Sequence, residues 1–180
     1  AARAALQPGG LRLDFSGIAK GHAVDRVSEL LAALGATSHL IEVGGELRGE
    51  GVKPDGQPWW VELEQPPGGE ARRTVVAAYG LSVATSGDYR RYFGYDGRLY
   101  AHSIDGRTGR PIENGLASVT VLHPSAMQAD AFATALTVMG MDEGLAFAAD
   151  MKLAARFMAH DRGGLVEVLS PAFLEMMDED

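Results

Sequence analysis

The segment from Ser125 to Gly140 constrains the fold of this chain more than any other part of its sequence. Ser125 is a favoured helix N-cap, Gln128 completes a capping-box pattern, and Gly140 can end the helix. The residues between these ends are almost all apolar, and Asp130 is the only charged one. A helix that is apolar on nearly every face is predicted to be buried.

A buried carboxylate such as that of Asp130 needs a base, several hydrogen-bond donors or a metal ion as its partner. Thr134 follows four residues later, so the two side chains share one face of the predicted helix. A carboxylate and a hydroxyl are hard oxygen ligands that suit Mg²⁺. In the alternative interpretation, Asp130 accepts hydrogen bonds from a neighbouring loop and Thr134 bonds to a carbonyl of its own helix. The local pattern leaves both interpretations open.

A second helix is predicted to begin with Ser16 as its N-cap and to end before Gly35. Residues 14–21 join a predicted strand to this helix start, where free N–H groups and the helix dipole favour an anion. Gly17 lets a ligand approach the main chain, and Lys20 adds a positive charge. The stretch is not a Walker A motif, and an ordinary capped helix with a surface lysine is the alternative.

Three shorter features are also candidates for a binding site. Gly44 and Gly45 interrupt a predicted strand, which indicates either a β-bulge or a close approach of the main chain to another group. Ser86 belongs to a short polar stretch that can form a binding turn or an ordinary turn. His102 lies near the end of a strand in a predicted hairpin around residues 95–97, where it is either structural or catalytic.

The composition excludes several classes of protein. The chain of 180 residues has a net charge of −8, which disfavours a nucleic-acid binder with a basic surface. It has no cysteine, which excludes disulfides and thiolate metal sites, and no apolar run approaches the ~20 residues of a membrane-spanning helix. Strands and helices mix without strict βαβ alternation, so we expect one α+β domain over residues 11–180 after a leading segment over residues 1–10.

Five sequence blocks, taken in order, resemble the FAD:protein FMN transferase family, also called the ApbE family. They are LDFSGIAKGHAVD (13–25), VGGELR (43–48), ATSGDYRRY (84–92), HSIDGRTGRP (102–111) and SVTVLHPSAMQADAFATAL (118–136). The resemblance covers the C-terminal portion of the family, so it implies a mixed β-sheet with packed helices that lacks the N-terminal part. Glu42, Ser103 and Gly106 depart from the residues that are usual in the family.

The resemblance implies an activity as well as a fold. FAD is cleaved at its pyrophosphate, FMN is attached by a phosphoester bond to a Thr or Ser of an acceptor protein, and AMP is released. The resemblance also implies Mg²⁺ as cofactor. Because family members are usually exported, it implies a periplasmic or otherwise exported protein, either free or anchored to the membrane through the missing N-terminal part.

The resemblance further implies roles for individual residues. The implied metal ligands are the carbonyl of Gly17, the carboxylate of Asp130 and the hydroxyl of Thr134. The residues expected to bind FAD are Asp14, Lys20, Gly44, Gly45, Ser86 and Ile104. His102 is expected to activate the acceptor hydroxyl, since histidine has a suitable intrinsic pKa for a general base.

Two other functions would use the same motifs. A flavin-binding or flavin-delivery protein would hold FAD without transferring any part of it. A metal-dependent FAD pyrophosphatase would use water in place of the acceptor hydroxyl. The three functions differ in their products when FAD, Mg²⁺ and an acceptor are supplied together.

Overall fold

The computed structural model describes residues 6–7, 9–10, 13–67, 73–87, 92–161 and 164–177. The sequence predicts a short strand over residues 11–14, just before the first predicted helix. Part of it lies outside the described residues, and its remaining part, Leu13 and Asp14, is not in a strand. Residues 88–91 of the third sequence block also lie outside the described residues.

The helices are α1 (Ala19–Ala33), α2 (Ala126–Met139), α3 (Met141–Asp150) and α4 (Pro171–Glu175). The strands are β1 (His39–Val43), β2 (Glu46–Glu50), β3 (Trp59–Glu62), β4 (Val75–Ala78), β5 (Leu81–Gly87), β6 (Tyr92–Tyr95), β7 (Arg98–Ala101), β8 (Ile104–Asp105), β9 (Arg110–Pro111), β10 (Leu116–His123), β11 (Ala154–Asp161) and β12 (Gly164–Leu169). Within the described ranges, no helix has the length and apolar character needed to span a bilayer.

A sheet with the strand order β1-β2-β5-β10-β11-β12 forms the centre of the molecule. Its pairings are antiparallel wherever the chain is described. Helices α1 and α2 pack against each other, and α2 lies over β5 and β10. The expected α+β class, with helices packed on a sheet, is confirmed.

Alternate residues of β10 contribute to the core on the two faces of the sheet. Val119 and Val121 are fully buried in a cluster with Leu136 of α2. Leu122 instead belongs to a second cluster with Phe173 of α4. This packing holds α2, the helix whose burial was predicted from its apolar sequence, firmly against the sheet.

The two predicted helix starts have different outcomes. Ser125 is the N-cap of α2 and accepts a hydrogen bond from the N–H of Gln128 (3.3 Å), as predicted. The prediction of Ser16 as an N-cap is wrong, since α1 begins only at Ala19. The N–H of Ser16 donates to Oδ1 of Asp14 (2.7 Å), and residues 16–18 form a turn that precedes the helix.

Gly44 and Gly45 form the two-residue turn of the β1–β2 hairpin, in which Val43 pairs with Glu46. Their φ angles are +61° and +102°, a region that residues with a Cβ rarely adopt. Of the two alternatives, a bulge inside one strand is wrong, because the chain reverses direction at this point. The turn does approach another group closely, since a Cβ at Gly44 would lie 3.2 Å from Cδ of Lys20.

Asp25 of α1 ties this helix to the start of α2. Its carboxylate accepts hydrogen bonds from the N–H groups of Ala126 (2.9 Å) and Met127 (3.0 Å), the hydroxyl of Ser125 (2.7 Å) and the guanidinium of Arg48 (3.0 Å). Burial raises the pKa of Asp25, but these hydrogen bonds together lower the pKa below its ordinary value. The two helices are thus held in one relative position, and both contribute residues to the cleft described below.

The predicted hairpin around residues 95–97 is confirmed. Asp96 and Gly97 join β6 to β7, and both have positive φ angles, as a type I′ turn requires. Strand β7 ends at Ala101, so His102 lies in a bend between β7 and β8 rather than inside a strand.

Candidate functional site

A cleft of about 640 Å³ is bounded by the start of α1, the β1–β2 turn, the end of β5, the segment after β7 and one face of α2. Its volume is in the range usual for small-molecule and cofactor sites. The residues for which the sequence predicted a role all line it: Asp14, Gly17, Lys20, Gly44, Gly45, Ser86, His102, Ile104, Asp130 and Thr134. The fold brings these distant segments together, and the role of each residue stays a prediction.

Asp130 lies at the wall of the cleft where α1 packs on α2. The residue is 2% exposed, and its Oδ2 accepts a hydrogen bond from the N–H of Gly21 (2.9 Å). A Cβ at position 21 would lie 2.1 Å from the carbonyl oxygen of Ala126, so only glycine permits this approach. A neutral N–H donor stabilises a buried carboxylate without cancelling its charge, so Asp130 can still bind a cation.

Gly17 and Ser86 approach Thr134 from two sides of the cleft. A Cβ on Gly17 would lie 2.8 Å from the Thr134 hydroxyl oxygen, so the main chain of the 16–18 turn is in close contact with that side chain. The hydroxyl oxygens of Ser86 and Thr134 lie 3.1 Å apart. The alternative interpretation expected the hydroxyl of Thr134 to bond to a carbonyl of its own helix. In α2 such a bond is made by the hydroxyl of Thr137, which donates to the carbonyl of Ala133 (2.8 Å).

The residues present fit a hard divalent cation. Asp130, Thr134 and the main chain of Gly17 supply oxygen atoms, which Mg²⁺ prefers as ligands. Across the part of the chain that the structure describes, no three Asp, Glu or His side chains are grouped closely enough to hold an ion together. A metal at this cleft would therefore depend on a hydroxyl and a main-chain carbonyl as well as the single carboxylate.

Several N–H groups at the start of α1 already have acceptors within the protein. The N–H groups of Ile18 and Ala19 both donate to the carbonyl of Phe15, and that of His22 donates to Ile18. The N–H of Gly21 is taken by the carboxylate on α2. Fewer N–H groups are therefore open to an anion than the predicted helix start implies, because Phe15, Ile18 and Asp130 supply acceptors for four of them.

Lys20 provides the positive charge of this part of the cleft. Its Nζ lies 2.6 Å from Oε1 and 2.6 Å from Oε2 of Glu46, whose side chain is 2% exposed, whereas that of Lys20 is 40% exposed. Burial raises the pKa of the Glu46 carboxyl, Lys20 opposes this rise, and the charge of Asp130 adds to it. Glu46 had no role in the sequence-based prediction, although it directly follows the Gly pair.

Asp14 contributes an exposed carboxylate to the cleft. Hydrogen bonds from the Ser16 hydroxyl and from the Ser16 N–H lower the pKa of the Asp14 carboxyl below its ordinary value. An ionised carboxylate can accept hydrogen bonds from hydroxyl or amine groups of a ligand, whereas it repels phosphate groups. Asp14 is therefore suited to a sugar or a heterocycle rather than to a pyrophosphate.

His102 and Ile104 reach the cleft from the segment that follows the β6–β7 hairpin. His102 is exposed, so a second substrate can approach its imidazole from solvent. The short β8–β9 pairing holds Ile104 opposite Pro111, and the N–H of Ile112 donates to the carbonyl of Ser103 (3.1 Å). These contacts give the segment a defined path along the cleft.

Two further residues, Thr85 and Glu64, line the cleft, and sequence reasoning gave Glu64 no role. Thr85 stands next to Ser86, and its hydroxyl oxygen lies 2.9 Å from that of Thr120 on β10. Thr85 belongs to the polar stretch that the sequence offers as either a binding turn or an ordinary turn. Glu64 follows β3 with no local pattern, and only the fold brings it to the cleft.

Comparison with known proteins gives a consistent result. A family model described as the ApbE family matches residues 2–157. A protein named FAD:protein FMN transferase from Haemophilus influenzae is 40% identical over 92% of this chain and 49% of its own length. One of the same name from Vibrio cholerae is 41% identical over 91% of this chain and 49% of its own length.

A solved structure is also similar. The crystal structure of the apo form of the Pseudomonas stutzeri flavinyl transferase ApbE matches with a TM-score of 0.83 and 46% identity. The match covers 92% of this chain and 51% of that protein. The chain thus spans about half the length of the relatives that it matches.

Proposed function

This chain belongs to the ApbE family, and from that premise we propose that it carries the site at which FMN is moved from FAD to a Thr or Ser side chain of an acceptor protein. The similarity to proteins named FAD:protein FMN transferase supports the reaction and FAD as its substrate. The reaction releases AMP and uses Mg²⁺.

One observation carries the proposal. The ten residues to which the family resemblance implies a role come from separate parts of the sequence, and all of them line one cleft of about 640 Å³. A cleft of this volume is in the range usual for a bound cofactor. The residues also differ in chemistry in the way that FAD requires, since they offer a cation, hydroxyls, carboxylates and apolar surface.

The transfer is a displacement at the phosphorus atom of the FMN half of FAD. The acceptor hydroxyl oxygen forms a bond to this phosphorus, the bond from the phosphorus to the bridging oxygen breaks, and AMP leaves with that oxygen. The proton of the acceptor hydroxyl passes to His102, whose exposed position lets an acceptor side chain reach it. Displacement of this kind depends mainly on positioning and on neutralising charge.

The chain has two sources of charge neutralisation for the pyrophosphate. Lys20 places an ammonium group on the wall of the cleft. Asp130, Thr134 and the carbonyl of Gly17 would hold Mg²⁺. When bound, Mg²⁺ neutralises negative charge on phosphate oxygens. Asp14 and Ile104 line the same cleft and would contact the sugar or the heterocycles of FAD.

The proposal is tested by product analysis with FAD and Mg²⁺, with and without an acceptor protein that carries a Thr site. Covalent flavin on the acceptor together with acceptor-dependent AMP release is the expected result, and an acceptor with that Thr changed to Val is the matched control. FMN and AMP released without any acceptor would indicate a pyrophosphatase instead. Bound but unchanged FAD would indicate a flavin carrier.

The location of the protein remains a proposal that rests on the family resemblance alone. We propose that it is exported, because members of the family that it resembles are usually exported. Cell fractionation with an antibody against the chain tests this, and recovery only from the cytosol would contradict it.

A further inference from the structure

Glu46 is a buried acidic residue beside the cleft, but it is not part of the cleft wall. Its side chain is 2% exposed, and both of its carboxylate oxygens lie 2.6 Å from Nζ of Lys20. Oε1 accepts a hydrogen bond from Lys20, whereas Oε2 accepts none from the described residues. The carboxylate therefore depends on Lys20 for its stabilisation.

The aliphatic stem of the Lys20 side chain is confined, and so is its ammonium group. A Cβ at Gly44 would lie 3.2 Å from Cδ of Lys20, so the β1–β2 turn touches the middle of the lysine side chain. Glu46 follows the same turn and contacts the end of the side chain. The β1–β2 hairpin thus contacts Lys20 at two points, the middle and the end of its side chain. The hairpin is far from Lys20 in the sequence.

Burying the carboxylate of Glu46 costs free energy, and the fold alone does not explain why the protein accepts this cost. Removing a carboxylate from water is unfavourable, and an ion pair with one half-exposed partner does not by itself stabilise a protein. A free lysine has a flexible four-carbon stem and three rotatable donors. An ion pair that fixes the stem leaves at least one N–H of the ammonium to point in a set direction.

We propose that Glu46 is a positioning residue that holds the ammonium of Lys20 as an oriented hydrogen-bond donor for an oxygen atom of bound FAD. This inference rests on the proposed function, since it takes FAD as the ligand of the cleft. Glu46 acts only through Lys20 and makes no contact with the substrate. Gly44 and Gly45 serve the same purpose, because their turn leaves room for the lysine stem and starts the strand that carries Glu46.

A double-mutant cycle tests the proposal with FAD binding to the full chain, measured by calorimetry in the presence of Mg²⁺. Glu46→Gln and Lys20→Met are each expected to weaken FAD binding by about tenfold, which lies within the range of coupled residue pairs. In a chain that already carries Lys20→Met, adding Glu46→Gln is expected to weaken FAD binding by less than about twofold further, since Glu46 acts through Lys20. Glu42→Gln, an exposed glutamate on the neighbouring strand, is the matched control and should leave FAD affinity unchanged.

A conservative variant separates positioning from a general effect on folding. Glu46→Asp retains a carboxylate that can pair with the ammonium of Lys20, so it should recover FAD affinity to within about threefold of the parent. The loss in Glu46→Gln should appear in KM for FAD more than in kcat, and thermal unfolding should show that both variants are folded.

The outcomes are distinct. Losses that add fully in the double variant, or unchanged FAD affinity in folded Glu46→Gln, would overturn the inference and leave the proposed function intact. Failure of the parent chain to bind FAD would overturn the proposed function and the inference together. The inference would be supported if the losses of FAD affinity in Glu46→Gln and Lys20→Met do not add in the double variant, and if Glu46→Asp recovers the affinity.

Discussion

The main-chain N–H of Gly21 donates a hydrogen bond of 2.9 Å to Oδ2 of Asp130, although the two residues are 109 positions apart in the sequence. Gly21 lies in the first turn of α1, and Asp130 lies in the first half of α2. This bond sets the direction of the carboxylate and brings the two helices into contact. The chemistry proposed for the cleft therefore depends on how closely α1 can approach α2.

Gly21→Ala should reduce the free energy of unfolding by about 3 kcal/mol or more, because an added methyl group overlaps packed main-chain atoms. The ideal Cβ position is 2.1 Å from the Ala126 carbonyl oxygen and 2.8 Å from Cβ of Asp130. Chemical denaturation measures the change. Gly106→Ala is the matched control, since a Cβ there meets nothing within 4 Å, and it should change stability by less than about 0.5 kcal/mol. Equal effects of the two substitutions would contradict the close approach of the helices.

Asp130→Asn should lower Mg²⁺-dependent FAD turnover by at least about 10²-fold, because metal stabilisation of charge is worth several kcal/mol. The amide oxygen of Asn can still accept the N–H of Gly21, so the fold should be retained. Turnover is measured over a series of Mg²⁺ concentrations, with Asp150→Asn on the exposed end of α3 as the control. Parental turnover of Asp130→Asn at low Mg²⁺ would contradict the role of this carboxylate as a metal ligand.

Asp25→Asn should destabilise the protein in a pH-dependent way. The pKa of Asp25 is lowered from its ordinary value of 3.8 in the folded chain. The carboxylate therefore contributes stability at pH values above 3.8, and this contribution is lost as the pH falls through the lowered pKa. Near neutral pH, the substitution should cost about 1–3 kcal/mol, since it leaves buried donors without their acceptor.

The measurement for Asp25 is denaturant unfolding of the parent and the variant at several pH values. The difference between the two free energies of unfolding should be largest near neutral pH and should shrink below pH 3.8. Asp150→Asn, at the exposed end of α3, is the matched control. A difference for Asp25→Asn that stays constant over this range would show that packing, rather than charge, carries the effect.

His102→Asn should slow transfer of FMN by about 10²–10⁴-fold, which is the usual contribution of a general base. FAD affinity should stay at the parental value, and the acidic limb of the pH–rate profile should disappear, because protonated histidine cannot accept a proton. Single-turnover transfer and FAD binding are measured on the same variant. His160→Asn, exposed on β11 and away from the cleft, is the control.

The competing interpretation for His102 is that it only orients the phosphates of FAD. In that case FAD affinity would fall together with the rate in His102→Asn, and the acidic limb would remain. A variant with parental transfer and parental pH dependence would assign His102 a structural role.

Part of the fold could be predicted from local sequence. The burial of α2 and its Ser125 cap were predicted correctly, because apolar residues on every face and a capping serine are local signals. The helix start at Ser16 was predicted wrongly. The carbonyl of Phe15 accepts the N–H groups of Ile18 and Ala19, which the side chain of a Ser16 N-cap would otherwise accept, and residue preferences alone do not reveal this competition.

The sequence by itself determined the kinds of chemistry available to this chain. It supplied one carboxylate in an apolar helix at Asp130, a lysine near a predicted helix start and a histidine after a hairpin, together with the family resemblance. These are properties of residue type and spacing, and they need no knowledge of distant contacts.

Only the tertiary structure decided how those groups act together. It placed Glu46 against Lys20, Gly21 against Asp130 and Glu64 at the cleft, and it supplied acceptors for several N–H groups at the start of α1. The physical reason is that burial and hydrogen bonding depend on neighbours across the sheet and between helices. Sequence spacing carries no record of such neighbours when they lie on different elements.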